Sequence, residues 1–228
     1  MVGDHHHFEN ETGTTTNSTH ASPGHLTLRY SARFTSCEWK DCKSSTESYG
    51  GAIFAQTQGI SLFIDRCIFK DCDCKYPSSN QFGGSIWAVS ILCISVTNSI
   101  FEWTSTVNKM AWHGGGIYLN GIPTVTILND LFSKCLVLYY AAGIYIEFCS
   151  TSSSTDNLID NCRCFGCKGD SGVGGAVRIH HNYQYENSIT NSLFCECKNT
   201  YGGALYLNYS GSSFPASSVS SDKYPLKY

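Results

Sequence analysis

The chain has 228 residues, 42% of them hydrophobic, so it is long enough to bury the core of one domain. Only 14% of residues are charged and the net charge is −3, which leaves no basic footprint for nucleic acid or acidic lipid. Thirteen cysteines, an odd number, leave at least one thiol free or intermolecular and raise the question of an oxidising compartment.

Residues 1–25 are polar, rich in Thr, Ser, Asn and His, and are expected to be a disordered leader. They show no basic start followed by an apolar run, so no signal peptide is read from them. Asn10 and Asn17 begin N-glycosylation sequons, as does Asn208 near the other end. From residue 26 to 209 two motifs alternate. One is built on an anchor: Trp39, Phe69, Phe101, Phe132, Cys164 and Phe194. Five residues before the anchor stand Phe34, Ile64, Val96, Ile127, Ile159 and Ile189, and three before it stand Ser36, Arg66, Asn98, Asn129, Asn161 and Asn191. The other motif is Gly-Gly-small-aliphatic. It begins at Gly50, Gly83, Gly114, Ala141, Gly174 and Gly202, at intervals of 33, 31, 27, 33 and 28 residues. Self-similarity at such a period signals a solenoid, whose repeats bury their apolar faces by stacking on one another.

Coils of a parallel stack lie about 4.8 Å apart, so each column of equivalent residues becomes a continuous ladder, apolar where the residues are Ile or Phe. The Asn column is read as structural, its amides bonding one another and the turned backbone. Paired glycines supply the backbone angles of a turn that feeds a strand. The residues after them alternate, so Ile53 and Ala55, Ile117 and Leu119, Val177 and Ile179, and Leu205 and Leu207 are expected to point inward. The most apolar stretch, Leu136 to Ile146, is too short to span a membrane and reads as two strands joined by a tight turn. No segment shows sustained helical spacing. The fold predicted is all-β: a right-handed single-stranded parallel β-helix, or β-solenoid, of about six coils of 27–33 residues. Residues 210–228 form a Ser-rich tail, expected to be the end of a fragment.

The alternation of Gly-Gly-Ala-Ile with Phe-x-x-Cys is clearest in Gly50 to Ile53, Gly83 to Ile86, Phe69 to Cys72, Phe132 to Cys135 and Phe194 to Cys197. It resembles the repeats of chlamydial polymorphic outer-membrane proteins and of similar cysteine-rich repeat proteins of protists, within the pectin-lyase-like β-helix group. The resemblance covers about residues 32–208. This chain has Cys where the chlamydial motif has Asn after the Phe, and no C-terminal membrane barrel is visible. The resemblance implies a surface-displayed, adhesin-like passenger.

The cysteines stack too. Cys37 over Cys67, Cys42 over Cys72 and Cys167 over Cys197 are candidate disulfides, weighed equally with buried apolar thiols. The spacings do not repeat as zinc pairs, so no metal and no cofactor is expected. Asp41 and Asp71, beside Lys40 and Lys70, are the weak catalytic candidates, and an alternating-charge surface patch explains them more simply. His113, His180 and His181 are read as solvated turn residues. Phe54, Trp87, Tyr118, Tyr145, Arg178 and Tyr206 follow each motif's aliphatic and by alternation face outward on one sheet. They are the candidate binding stripe for sugar rings or a protein partner, against a role in stacking alone. The function expected is a non-catalytic surface or secreted adhesin-like β-helix that binds a carbohydrate or a surface protein, with no nucleic acid and no direct membrane insertion. The alternatives are a polysaccharide lyase or hydrolase, and an intracellular β-helix scaffold.

Overall fold

The computed structural model describes residues 12–16, 19–23, 26–44, 49–74, 82–104, 111–148, 156–181, 186–209 and 218–220. Among them the regular structure is all strand, arranged in three long parallel sheets. The first sheet stacks Ser31–Thr35, Ser61–Asp65, Cys93–Thr97, Thr124–Leu128, Asp156–Asp160 and Glu186–Thr190. The second stacks Glu38–Ser44, Ile68–Lys70, Ile100–Glu102, Leu131–Ser133, Arg163–Phe165 and Leu193–Cys195. The third stacks Ile53–Ala55, Ile86–Val89, Ile117–Asn120, Ile144–Phe148, Val177–His181 and Leu205–Tyr209. The chain visits the sheets in that order in every coil, which makes a parallel β-helix. Leu136–Tyr140 and Ile144–Phe148 are the two strands read from the apolar stretch, with Ala141 turning between them at φ 49°.

Further strands lengthen the stack. Leu26–Leu28 pairs with Ile53–Ala55 in the third sheet without a glycine motif before it. Thr12–Thr16 pairs with Ser31–Thr35 and Thr19–Pro23 with Glu38–Ser44, both from the segment expected to be a leader. Ser218–Ser220, in the Ser-rich tail, pairs with Glu186–Thr190.

In-register stacking turns each sequence column into a ladder. Phe34, Ile64, Val96, Ile127, Ile159 and Ile189 succeed one another in the first sheet and are all buried. In the second sheet Trp39, Phe69, Phe101 and Phe132 lie face to face, with successive centroids 4.6, 4.7 and 4.7 Å apart and planes within 5° of parallel. Isolated rings favour an offset or edge-on arrangement, and here the rung spacing dictates the geometry. Cys164 continues this ladder at 0% exposure.

Left-handed residues turn the chain at recurring corners, three of them as columns along the stack, with Gly59, Ser90 and Gly121 in the turns from the third sheet back to the first. The first residue of the glycine motif has positive φ in all six copies: Gly50, Gly83, Gly114, Ala141, Gly174 and Gly202. A Cβ on Gly83 would sit 2.4 Å from the Ile86 carbonyl oxygen, so the turn excludes a side chain by space as well as by φ. The whole Ser36, Arg66, Asn98, Asn129, Asn161, Asn191 column is also left-handed. Asn tolerates that conformation, and its amide ties the coils together: Asn129 Nδ2 donates to Asn98 Oδ1 at 3.2 Å and Asn161 Nδ2 to Asn129 Oδ1 at 2.8 Å. Asn98 Nδ2 donates to Asp65 at 2.8 Å, and that hydrogen bond holds the Asp65 carboxyl below its usual range. The third left-handed corner falls at Asp41, Asp71, Lys134, Gly166 and Glu196.

Candidate functional site: the outer face of the third sheet

Phe54, Trp87, Tyr118, Tyr145, Arg178 and Tyr206 form one in-register column on the third sheet. They point away from the core as the alternation requires, but they are not the exposed stripe that was expected. Trp87, Tyr118, Tyr145 and Arg178 are only 6%, 4%, 3% and 8% exposed, and only Phe54 and Tyr206 are half-buried. A second aromatic layer covers the column. It consists of the residue just before four of the six glycine motifs, Tyr49, Phe82, His113 and Tyr140, joined by bridges and by a short sheet of Ala111–His113, Leu136–Tyr140 and Lys168–Gly169. The left-handed first residue of the motif turns the chain, and the residue ahead of it lies over the outward ring of the next coil. Tyr49 lies 4.8 Å from Trp87 and Phe82 lies 4.8 Å from Tyr118.

His113 belongs to this layer, which corrects its reading as a solvated turn residue. Its ring stacks between Phe82 and Tyr140, each 4.7 Å away. Burial, with the positive charge of Arg178 nearby, pushes its pKa down to about 4. Arg178 ends the stack. Its guanidinium carbon is 3.9 Å from the Tyr140 ring centroid and 4.7 Å from that of Tyr145. The next residue of the outer column, Val173, has no ring, and the guanidinium covers the face of Tyr140 instead. Arg178 Nε and Nη1, Trp87 Nε1 and His113 Nδ1 are buried without a hydrogen-bond partner.

Beside the covered rings runs a row of polar side chains that reaches solvent. Asn120, Glu147, His180 and Asn208 are in register two residues beyond the aromatic column, and apolar Val89 precedes them in the same register. Tyr118 Oη donates to Glu147 Oε2 at 2.6 Å, and Asn120 Nδ2 donates to Tyr118 Oη at 3.3 Å. His180 Nδ1 lies 3.7 Å from Glu147 Oε1, with both side chains about a quarter exposed, at 25% and 24%. Burial, and then the Glu147 carboxylate, push the Tyr118 phenol well above its usual pKa. The buried rings thus carry a rigid row of amide, carboxylate and imidazole groups at rung spacing. The period-two pattern held this row within reach, since it falls at the next outward position after the stripe.

The other candidate residues fall elsewhere. Asp41 and Asp71 occupy left-handed corners at the end of the second sheet, and Asp71 accepts hydrogen bonds from the Thr104 backbone and hydroxyl. Cys37, Cys67, Cys42, Cys72, Cys167 and Cys197 are present as thiols rather than as disulfides. Cys67 Sγ accepts the Cys37 N–H at 3.4 Å and donates to the Asp65 carbonyl at 3.3 Å, so in this column sulfur serves as a hydrogen-bonding rung. Among the described residues no group of three His, Cys, Asp or Glu side chains converges on a metal position. Asn208 is half-buried in the outward polar row, while Asn10, Asn17 and the side chain of His181 lie outside the described residues. No helix among the described residues is long and apolar enough to cross a membrane.

Comparison with known proteins finds no match for this chain among protein-family models, curated proteins or solved structures.

Proposed function

We propose that this chain is a non-catalytic, surface-displayed or secreted β-helix that binds a glycan or a surface protein, in the manner of an adhesin. The observation that carries the reading is the row Asn120, Glu147, His180 and Asn208, fixed at rung spacing on the third sheet by the buried aromatic layers beneath it. Planar polar side chains held rigidly at rung spacing, with half-buried Tyr206 on the strand of Asn208, offer hydrogen bonds to a partner at little ordering cost. The repeat resemblance to polymorphic outer-membrane proteins supports the same reading. The lyase or hydrolase alternative gains little support from Asp71, whose carboxylate is engaged by Thr104 at a corner of the backbone.

The test is binding of the purified chain to a panel of glycans and surface-protein ectodomains, with product analysis for any glycan bound. The expected result is a ligand retained without turnover, bound at least tenfold more weakly by the Glu147→Ala, His180→Ala double variant while the wild-type circular dichroism spectrum is kept. Release of shortened or unsaturated sugars, or binding unchanged in the double variant, overturns the assignment.

A further inference from the structure

The thiols of the last coils are arranged in a way that stacking alone does not require. Cys135, Cys167 and Cys197 hold the same position in three successive rungs, bridged through Lys168 N–H to the Cys135 carbonyl at 3.0 Å and Lys198 N–H to the Cys167 carbonyl at 2.9 Å. Cys164, which replaces the ring of the aromatic ladder, sits on the same side of the core. The Cys167 thiol donates to the Phe132 carbonyl at 3.5 Å and, one rung on, the Cys197 thiol donates to the Cys164 carbonyl at 3.4 Å, so both thiols turn toward the ring-ladder position that Cys164 occupies. Cys164 and Cys167 are each 0% exposed. Cys197 is half-buried and is the member of the trio that reaches the surface, next to exposed Cys195. Adjacent rungs bring Cα atoms to about 4.8 Å, within the range a disulfide accepts.

We propose that Cys164, Cys167 and Cys197 form a thiol–disulfide exchange site, in which Cys167 is the shared partner of two mutually exclusive disulfides and Cys197 is the entry point from solvent. The proposal is independent of the binding role assigned to the third sheet. Its oxidant is a small-molecule disulfide, RSSR. The Cys197 thiol loses its proton and attacks one sulfur of RSSR, giving the Cys197–SR mixed disulfide and RS⁻, which takes up a proton to become RSH. Cys167 then attacks the Cys197 sulfur in the same way, forming the Cys167–Cys197 bond and releasing a second RSH. Attack of Cys164 on the Cys167 sulfur moves the bond to Cys164–Cys167 and returns Cys197 as a thiol. Each chain is thereby oxidised by two electrons, and one RSSR is reduced to two RSH. The neighbouring Cys167 thiol, and then burial, push the Cys164 and Cys197 thiols above their usual pKa, so exchange is slow unless the oxidant reaches Cys197.

The experiment treats the folded full chain, carrying Cys195→Ser, with oxidised glutathione, quenches with acid, alkylates the remaining thiols, and maps linkages by peptide mass spectrometry. The expected result is transient glutathionylation of Cys197 followed by Cys167–Cys197 and Cys164–Cys167 linkages. In the Cys167→Ser variant the reaction should stop at glutathionylated Cys197, and in Cys164→Ser it should stop at Cys167–Cys197. Serine already occupies the equivalent inward position of another cysteine column at Ser99 and Ser192, so these variants are expected to fold, with circular dichroism as the check. The proposal is overturned if Cys197 stays unmodified while Cys37, Cys67, Cys42 or Cys72 is oxidised, or if Cys167→Ser leaves Cys197 bridged within the chain.

Discussion

His113 and Asp130 are buried ionisable groups whose titrations act on stability in opposite directions. Desolvation lowers the His113 pKa from 6.5 to about 4, so the folded state holds the ring neutral while the unfolded chain protonates it. Its contribution is present above pH 6.5 and is lost as pH falls toward 4, amounting to about 2–3 kcal/mol after allowance for partial exposure. His113→Phe keeps the stack with Phe82 and Tyr140 and should flatten that acid-side loss, read as melting temperature against pH. Asp130 stands in the column of Cys37, Cys67, Ser99, Cys162 and Ser192, where it accepts the Ser99 N–H at 2.6 Å and leaves Oδ2 buried without a partner. Burial raises its pKa from 3.8 to about 8, so stability is greatest below pH 4 and is lost as pH rises toward 8. Asp130→Ser should therefore stabilise the protein by a few kcal/mol at pH 8 and by little at pH 4. Neither residue announces itself in the sequence. His113 precedes a glycine motif and reads as turn, and Asp130 occupies a place where Cys and Ser are usual, so only the packing reveals both as buried.

The glycine corners and stacked strands set the behaviour of the elements. Gly84 has an ordinary φ, yet a Cβ there would lie 1.9 Å from the Gly115 carbonyl oxygen, whereas Gly59 at φ +80° has nothing within 4 Å. Gly84→Ala should disrupt the third sheet, while Gly59→Ala should cost only about 1–2 kcal/mol of backbone strain; denaturant titration distinguishes the two. Ala141 has the converse problem, with its Cβ held in the left-handed region at φ 49° inside the second aromatic layer. In the ring ladder, Phe101→Ala removes a fully buried side chain stacked on both faces and should cost about 3–5 kcal/mol. The elements themselves were legible because period-two alternation after each glycine pair and the Ile, Asn and Phe columns each encode one face of one strand or corner. The second aromatic layer was not. Alternation says that Trp87 and Tyr118 point outward, but it carries no information about what folds back over them. The signal was the ring at the position before the motif in Tyr49, Phe82, His113 and Tyr140, which requires knowing that the left-handed corner brings that residue over the outward ring of the next coil.

At the scale of the molecule the parallel β-helix supplies a rod whose third sheet is armoured by two aromatic layers and edged by a polar row. The fold was readable because a repeat states the same geometry six times, so accidental matches in one copy are corrected by the others. The site was less readable, because the stripe that sequence alternation favours is the part that packing conceals. The binding surface proposed for this row rests on the strands of the rod, and its use depends on where the chain is displayed. Treating intact cells that express the chain with a membrane-impermeant labelling reagent tests that directly. Recovery of labelled chain, with a cytosolic control left unlabelled, is the predicted result. A chain that is expressed yet unlabelled, and absent from the medium, would contradict the surface account and leave the intracellular scaffold in its place.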